Sequence, residues 1–202
     1  MGGDTGKGEM ARELPEIVGR IYAGAGRANG WPHTLAAVAG TTGAASGCIV
    51  AVGPEDARGS VGCFHNIDPA WIEVYNDYYH RFDPTPELLE DGSGVPVRDH
   101  VRRACDAGHG DRASVFYNEV MIPQDFRHTL AVGFSTHASW KAALVLQRTR
   151  SQGPFGPEAG ERIGALADHL RRALDLHARL QHSRLLGGED LQGAFHDAPT
   201  GI

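Results

Sequence analysis

The chain is poor in cysteine, has fewer basic than acidic residues, and lacks any long apolar run. Its three cysteines, Cys48, Cys63 and Cys105, are an odd, widely spaced set without a C-x-x-C pair. That spacing disfavours both a disulfide framework and a zinc site, and leaves small buried thiols as the plain reading. The 19 Lys and Arg against 25 Asp and Glu give a formal charge of -6. A grip on a nucleic-acid backbone takes clustered cations, so contact with DNA is expected only through a domain outside this chain. No stretch approaches the ~20 apolar residues that a membrane helix needs, so no membrane span is expected. Met1 to Glu9 is Gly-rich and polar without the apolar segment of a secretory signal. It reads as a disordered lead (1–9) on a cytoplasmic protein.

Catalytic motifs are missing as well. Gly6-Lys7 hints at a phosphate loop, but the earlier glycine is misplaced, Gly8 stands where a hydroxyl residue belongs, and no strand precedes it. There are eleven histidines, yet none belongs to an H-x-x-x-H or H-E-x-x-H pattern. Ser114, Ser135 and Ser139 lack a G-x-S-x-G setting, and no carboxylate pair stands out as acid and base. No enzymatic activity, metal or cofactor is therefore expected.

The 202 residues fit one domain with extra helices. Leu14, Ile17, Val18 and Ile21 mark a first helix over Met10 to Arg27, and Trp31-Pro32 opens a second reaching about Ala45. Cys48 to Val52 suits a buried strand, and Ser60 to His65 returns as its hairpin partner across Gly53-Pro54-Glu55-Asp56. Asp68-Pro69, acid as N-cap and proline in the first turn, starts an aromatic helix running to Phe82. Weak periodicity from Asp83 to Gly110 predicts short helices and loops lying over the sheet. Leu130, Val132 and Phe134 alternate with Thr129, Ala131 and Gly133 as a third strand, and Trp140 to Arg148 reads as a fourth, paired with it. Gly156-Pro157-Glu158 opens a long last helix to about Leu186, with Glu158/Arg162, Asp168/Arg172 and Asp175/Arg179 as supporting acid-to-base pairs four apart. Its stripe of Ile163, Leu166, Leu170, Leu174, Leu176 and Leu180 is wide enough for one edge to meet this domain and the other a partner. The order of elements suits an α+β fold, an antiparallel sheet flanked by helices.

Ser114 to Val132 changes period from helical to alternating around Pro123. Its Phe-Tyr-Asn-Glu…Pro-Gln-x-x-Arg-His pattern resembles the N-terminal sensor regions of LuxR-type helix-turn-helix transcription regulators. The landmarks Trp31-Pro32, Asp83-Pro84 and Phe155-Gly156-Pro157-Glu158 extend the likeness over roughly 14–180. The resemblance implies a PAS/GAF-like sensor domain (10–186) with long first and last helices, acting as a ligand-binding homodimer in transcription regulation and signal transduction. Residues 187–202, ending Ala194 to Ile202, resemble a linker and the start of a further PAS-like module, so a fragment of a longer regulator is expected.

A narrower resemblance is to acyl-homoserine-lactone receptors of that superfamily, carried by Trp71, Tyr75 and Asp83-Pro84. It implies Trp71 donating to a ligand carbonyl, Asp83 accepting from a ligand amide, and Tyr75 packing along the ligand. The Tyr-to-Asp spacing is one residue shorter than usual there. The candidate ligand-binding set is Trp71, Tyr75, Tyr79, Asp83, Phe116, Tyr117, Arg127, His128 and Trp140. Alternatives stay open: Trp71, Tyr75, Tyr78 and Phe82 as a plain core stripe, and Arg127 paired with Glu119 or Asp125 rather than meeting an anion. A structural dimerisation domain, or an enzyme built on His128, Cys105 or Asp83, are the competing functions.

Overall fold

A computed structural model describes residues 3–27, 30–52, 60–86, 92–107, 110–135 and 141–186. Among them lie six α-helices and five strands. In chain order these are α1 (Gly3–Ala25), α2 (Gly30–Thr42), β1 (Ser46–Val52), β2 (Ser60–His65), α3 (Pro69–Asp77), β3 (Val97–Arg98), α4 (His100–Asp106), α5 (Gly110–Phe116), β4 (Phe126–Ser135), β5 (Lys141–Thr149) and α6 (Pro157–Leu186). A 3-10 turn at Tyr79–Phe82 follows α3, and a π turn at Tyr117–Met121 follows α5. The strands form one antiparallel sheet in the order β2-β1-β5-β4-β3. Both expected hairpins are present.

The central strands are buried on both faces, and alternate residues serve different layers. Ile49, Leu130, Val132, Phe134, Leu144 and Leu146 join Ile17 and Ile21 of α1, Trp31 and Leu35 of α2, and Ile163, Leu166 and Leu170 of α6 in the main core. Cys48, Ala131, Ala143 and Val145 form a smaller cluster from the intervening positions. A third cluster of Val101, Met121 and Phe126, with Phe116 and Tyr117 packed on it, belongs to the covering segments. Three layers result: α1, α2 and α6, the sheet, and α3 to α5.

Several local expectations change. The helix α1 begins at Gly3 and so takes in most of the stretch read as a disordered lead; once the stripe seated on the core fixes one turn, each added residue gains a hydrogen bond, and glycine costs only about 1 kcal/mol. The aromatic helix is two pieces, because Tyr78 leaves helical geometry at φ -137° and its N–H closes on the Val74 carbonyl. A fifth strand, β3, arises within the covering segment through its pairing with Ala131 and Leu130. On α6, Asp175 pairs with Arg179 at 3.0 Å, but Asp168 meets Arg171 at 3.4 Å instead of Arg172. Arg162 leaves Glu158 for the Thr41 carbonyl at the end of α2. No helix among the described residues is long and apolar enough to cross a membrane. The PAS-like tail at 187–202 and the Gly53 to Asp56 turn lie outside the described residues.

Candidate functional site

Between the sheet and the covering segments is a cavity of about 80 Å³, where one buried water requires roughly 10–15 Å³. Its floor follows from strand register. Val145 faces Cys48 on one side and Ala131 on the other, and Gln147 lies between Ser46 and Thr129. Cys48, Val50, Phe64, Val145, Gln147 and Thr129 all line the space.

The wall from α3 is set by its cap. Asp68 accepts the Ala70 N–H at 2.9 Å with Pro69 in the first turn, which fixes where the helix starts and hence the face carrying Trp71, Ile72 and Tyr75 toward the cavity. The 3-10 turn then reverses the chain into Asp83-Pro84-Thr85. Asp83 Oδ1 accepts the Thr85 N–H at 2.8 Å, a side-chain-closed turn, and Oδ2 accepts the Tyr75 hydroxyl at 2.9 Å. Burial raises the Asp83 carboxyl above its ordinary range, and its hydrogen bonding to Thr85 and Tyr75 opposes the rise. Burial, reinforced by neighbouring Asp83, also raises the Tyr75 phenol and pushes the Cys48 thiol up to about 12.

The opposite wall comes from β3 and α4. Asp99 has left-handed backbone (φ 51°), a conformation that Asp tolerates better than most residues. From there its N–H donates to the Thr129 carbonyl at 2.7 Å, and its Oδ1 accepts the Thr129 N–H at 3.1 Å. This clamp on β4 sets His100 between two hydroxyls, with Nε2 at 3.3 Å from Thr85 Oγ1 and Nδ1 at 3.1 Å from Thr129 Oγ1. Burial lowers His100 to about 4, against the opposing charge of Asp99, so the ring is neutral at pH 7. Phe116, Val120 and Met121 close the far side.

Of the candidate set, the structure brings Trp71, Tyr75, Asp83 and Phe116 to this cavity. Tyr75 does more than pack, since its hydroxyl is committed to Asp83. The 3-10 turn carries Tyr79 outward, where it donates to Glu119 Oε2 at 2.9 Å, a bond that raises its phenol. Tyr117 is absorbed in the Val101, Met121 and Phe126 cluster. Arg127 braces the turn before β4, its Nη1 donating to the Ile122 and Phe126 carbonyls at 3.1 Å, with Asp125 Oδ1 at 3.8 Å from Nη2. His128 lies 3.6 Å from Asp99 Oδ1 and does not line the cavity. A bulge between Phe126 and His128 lets Phe126 face the cavity in place of Arg127, while His128 takes the opposite face from Thr129 by ordinary alternation. Trp140 lies outside the described residues. Tyr78 and Phe82 pack against each other with tilted rings (5.4 Å between centroids), so the aromatic stripe divides between cavity and surface. Cys105 does not line the cavity, and no group of His, Cys, Asp and Glu suited to a metal occurs among the described residues.

Sequence reasoning did not find Thr85, His100, Thr129, Cys48 or Gln147. The strand phase carried some signal: Cys48, Val145 and Gln147 are out of step with Ile49, Leu144 and Leu146.

No protein-family model matches the sequence, and no curated protein is significantly similar to it. Solved structures are similar in fold. An N-acylhomoserine lactone dependent LuxR family transcription factor, CepR2 from Burkholderia cenocepacia, is 20% identical with a TM-score of 0.55, over 84% of this chain and 98% of that one. The VqsR LBD domain from Pseudomonas aeruginosa is 12% identical with a TM-score of 0.59, over 82% and 96%. SdiA in complex with octanoyl-rac-glycerol is 15% identical with a TM-score of 0.59, over 89% and 68%. The chain thus has the α+β, GAF-like fold seen in LuxR-type ligand-binding domains.

Proposed function

We propose that this chain is the ligand-sensing and dimerisation domain of a LuxR-type transcription regulator, binding a small amphipathic molecule between the sheet and α3 to α5. The observation that carries the reading is the cavity itself: apolar over most of its wall, with Asp83, Tyr75, Thr85, His100 and Thr129 gathered as its orienting groups. Such a composition suits a specific small-molecule pocket. The fold adds weight, because one structural neighbour was solved with octanoyl-rac-glycerol. Catalysis is a poorer fit. The Cys48 thiol is pushed up to about 12, away from a reactive thiolate, and His100 sits between two threonines rather than beside a nucleophile and an acid.

In this reading the protein is cytoplasmic and pairs with a second copy through α1 and α6. Leu176, 40% exposed on α6, supplies apolar surface for that contact. Binding biases the position of α6, which acts on a DNA-binding helix-turn-helix module outside this chain. A ligand does this only if it binds one arrangement of α6 better than another. The test is mass spectrometry of the purified protein under native and denaturing conditions. A dimer that sheds a small molecule on denaturation is expected; a monomer that takes up neither added acyl-homoserine lactone nor octanoyl-glycerol would overturn the reading.

A further inference from the structure

The walls of the cavity are not held alike. On the side of β3 and α4, the Asp99 clamp, the two bonds of His100 and the burial of Val101 tie the cover to β4. The helix α3 is held differently. None of its residues is fully buried, and it packs chiefly on the 3-10 turn that follows it. Among the described residues, one side-chain hydrogen bond ties Pro69–Asp77 to the rest of the chain, that of Tyr75 to Asp83. Yet Trp71, Ile72 and Tyr75 of this helix close one side of the cavity.

The chain is anchored on both sides of α3. Before it, Asn66 has left-handed backbone (φ 51°), and its Nδ2 donates to the Ala45 carbonyl at 3.1 Å. After it, Tyr79 donates to Glu119, and the Arg81 carbonyl accepts from Arg112. Helical geometry stops at two places between these anchors, at extended Asp68 (ψ 129°) and at Tyr78 (φ -137°). Backbone rotation at those two places swings α3 as a unit while both anchors hold. We propose that α3 is a lid, hinged at Asp68 and Tyr78 and latched by the hydrogen bond from Tyr75 to Asp83, and that the cavity is entered beneath it. The inference rests on the ligand-binding reading above, to which it adds an entrance.

Two cysteines report the opening without any ligand. Cys48 lines the cavity, where burial pushes its thiol up to about 12, so alkylation requires an opened and solvated site. Cys63 is buried in the main core on the other face of the sheet and reacts only when the core itself comes apart. Peptide-resolved mass spectrometry of iodoacetamide labelling under native conditions follows both at once. In the wild type, Cys48 is expected to react at least tenfold faster than Cys63. Tyr75→Phe should speed Cys48 about a further tenfold, the effect of one lost hydrogen bond on an opening equilibrium. Thr129→Val removes a bond to His100 that survives when α3 alone swings out, so it should speed Cys63 and leave Cys48 unchanged. Equal labelling of the two cysteines in the wild type would mean that the cavity opens only by unfolding, and overturns the lid. So does acceleration of Cys48 by Thr129→Val but not by Tyr75→Phe, which would make the α4 side the entrance. Either result leaves the ligand-binding reading standing, whereas that reading falls on the uptake test above, whatever the labelling shows.

Discussion

The hydroxyl of Tyr75 donates to Asp83 Oδ2 at 2.9 Å, across the break that separates α3 from the 3-10 turn. The bond spans a separation of eight residues and ties the last turns of the helix to the residue that follows the 3-10 turn. It makes the end of the aromatic segment a fixed corner of the cavity.

Tyr75→Phe keeps the ring and its edge contact with Phe116 at 6.1 Å between centroids, but removes one donor from a buried carboxylate. Leaving a buried acceptor with one donor fewer costs about 1–3 kcal/mol, and Asp83 is expected to rise further with one fewer donor to favour its charged form. Urea unfolding at pH 7 reads the cost. A loss under about 0.5 kcal/mol would mean that the carboxylate finds an equal partner in water.

What the sequence made legible was local. Asp68 and Pro69 at a helix start, the Ser60 to His65 strand and the Pro157 start of α6 each have a signal within a few residues, and each stands where it was expected. The two-residue β3 has no period to read; it exists because Val97 and Arg98 lie against Ala131 and Leu130. The same distance effect hid half of the cavity. His100 is 15 residues from Thr85 and 29 from Thr129, and nothing in their separate segments marks them as neighbours. On β5, Leu144, Val145 and Leu146 are all apolar, so alternation cannot tell the core face from the cavity face.

That difference of face has a measurable consequence. Leu146 is fully buried in the main core, so Leu146→Ala should cost about 2–5 kcal/mol. Val145 borders space that is already empty, and Val145→Ala should cost roughly 1 kcal/mol or little more, the burial lost with the removed atoms. Thermal unfolding of the two variants side by side checks this. Equal losses would mean that the cavity is filled by neighbouring side chains in solution.

Asp68→Ala removes the N-cap of α3, a nine-residue helix with no fully buried residue. The cap is worth about 0.5–2 kcal/mol. Because so little packing holds this helix, much of the loss should appear as local opening. Hydrogen exchange is expected to speed up across Trp71 to Tyr75 and leave β4 and β5 unchanged. Uniform acceleration across the whole sheet would instead place α3 inside the global cooperative unit.

His100 gives the fold a pH dependence of definite sign. Its value falls from 6.5 to about 4 on folding, because burial disfavours the charged ring. Between those values the unfolded chain binds more protons than the folded one, so stability is fullest above pH 6.5 and drains as pH falls. The slope is about 1.4 kcal/mol per pH unit, which amounts to roughly 3 kcal/mol by pH 4. Asp83 works in the opposite direction, since its raised carboxyl takes up a proton in the folded state at a higher pH than in the unfolded chain. His100→Gln separates the two, because glutamine does not titrate and Asp83 is kept. Urea unfolding of both proteins at steps from pH 7.5 to 4 should show the wild type losing ground to the variant through that window. Parallel curves would mean that His100 is charged or solvated in the fold.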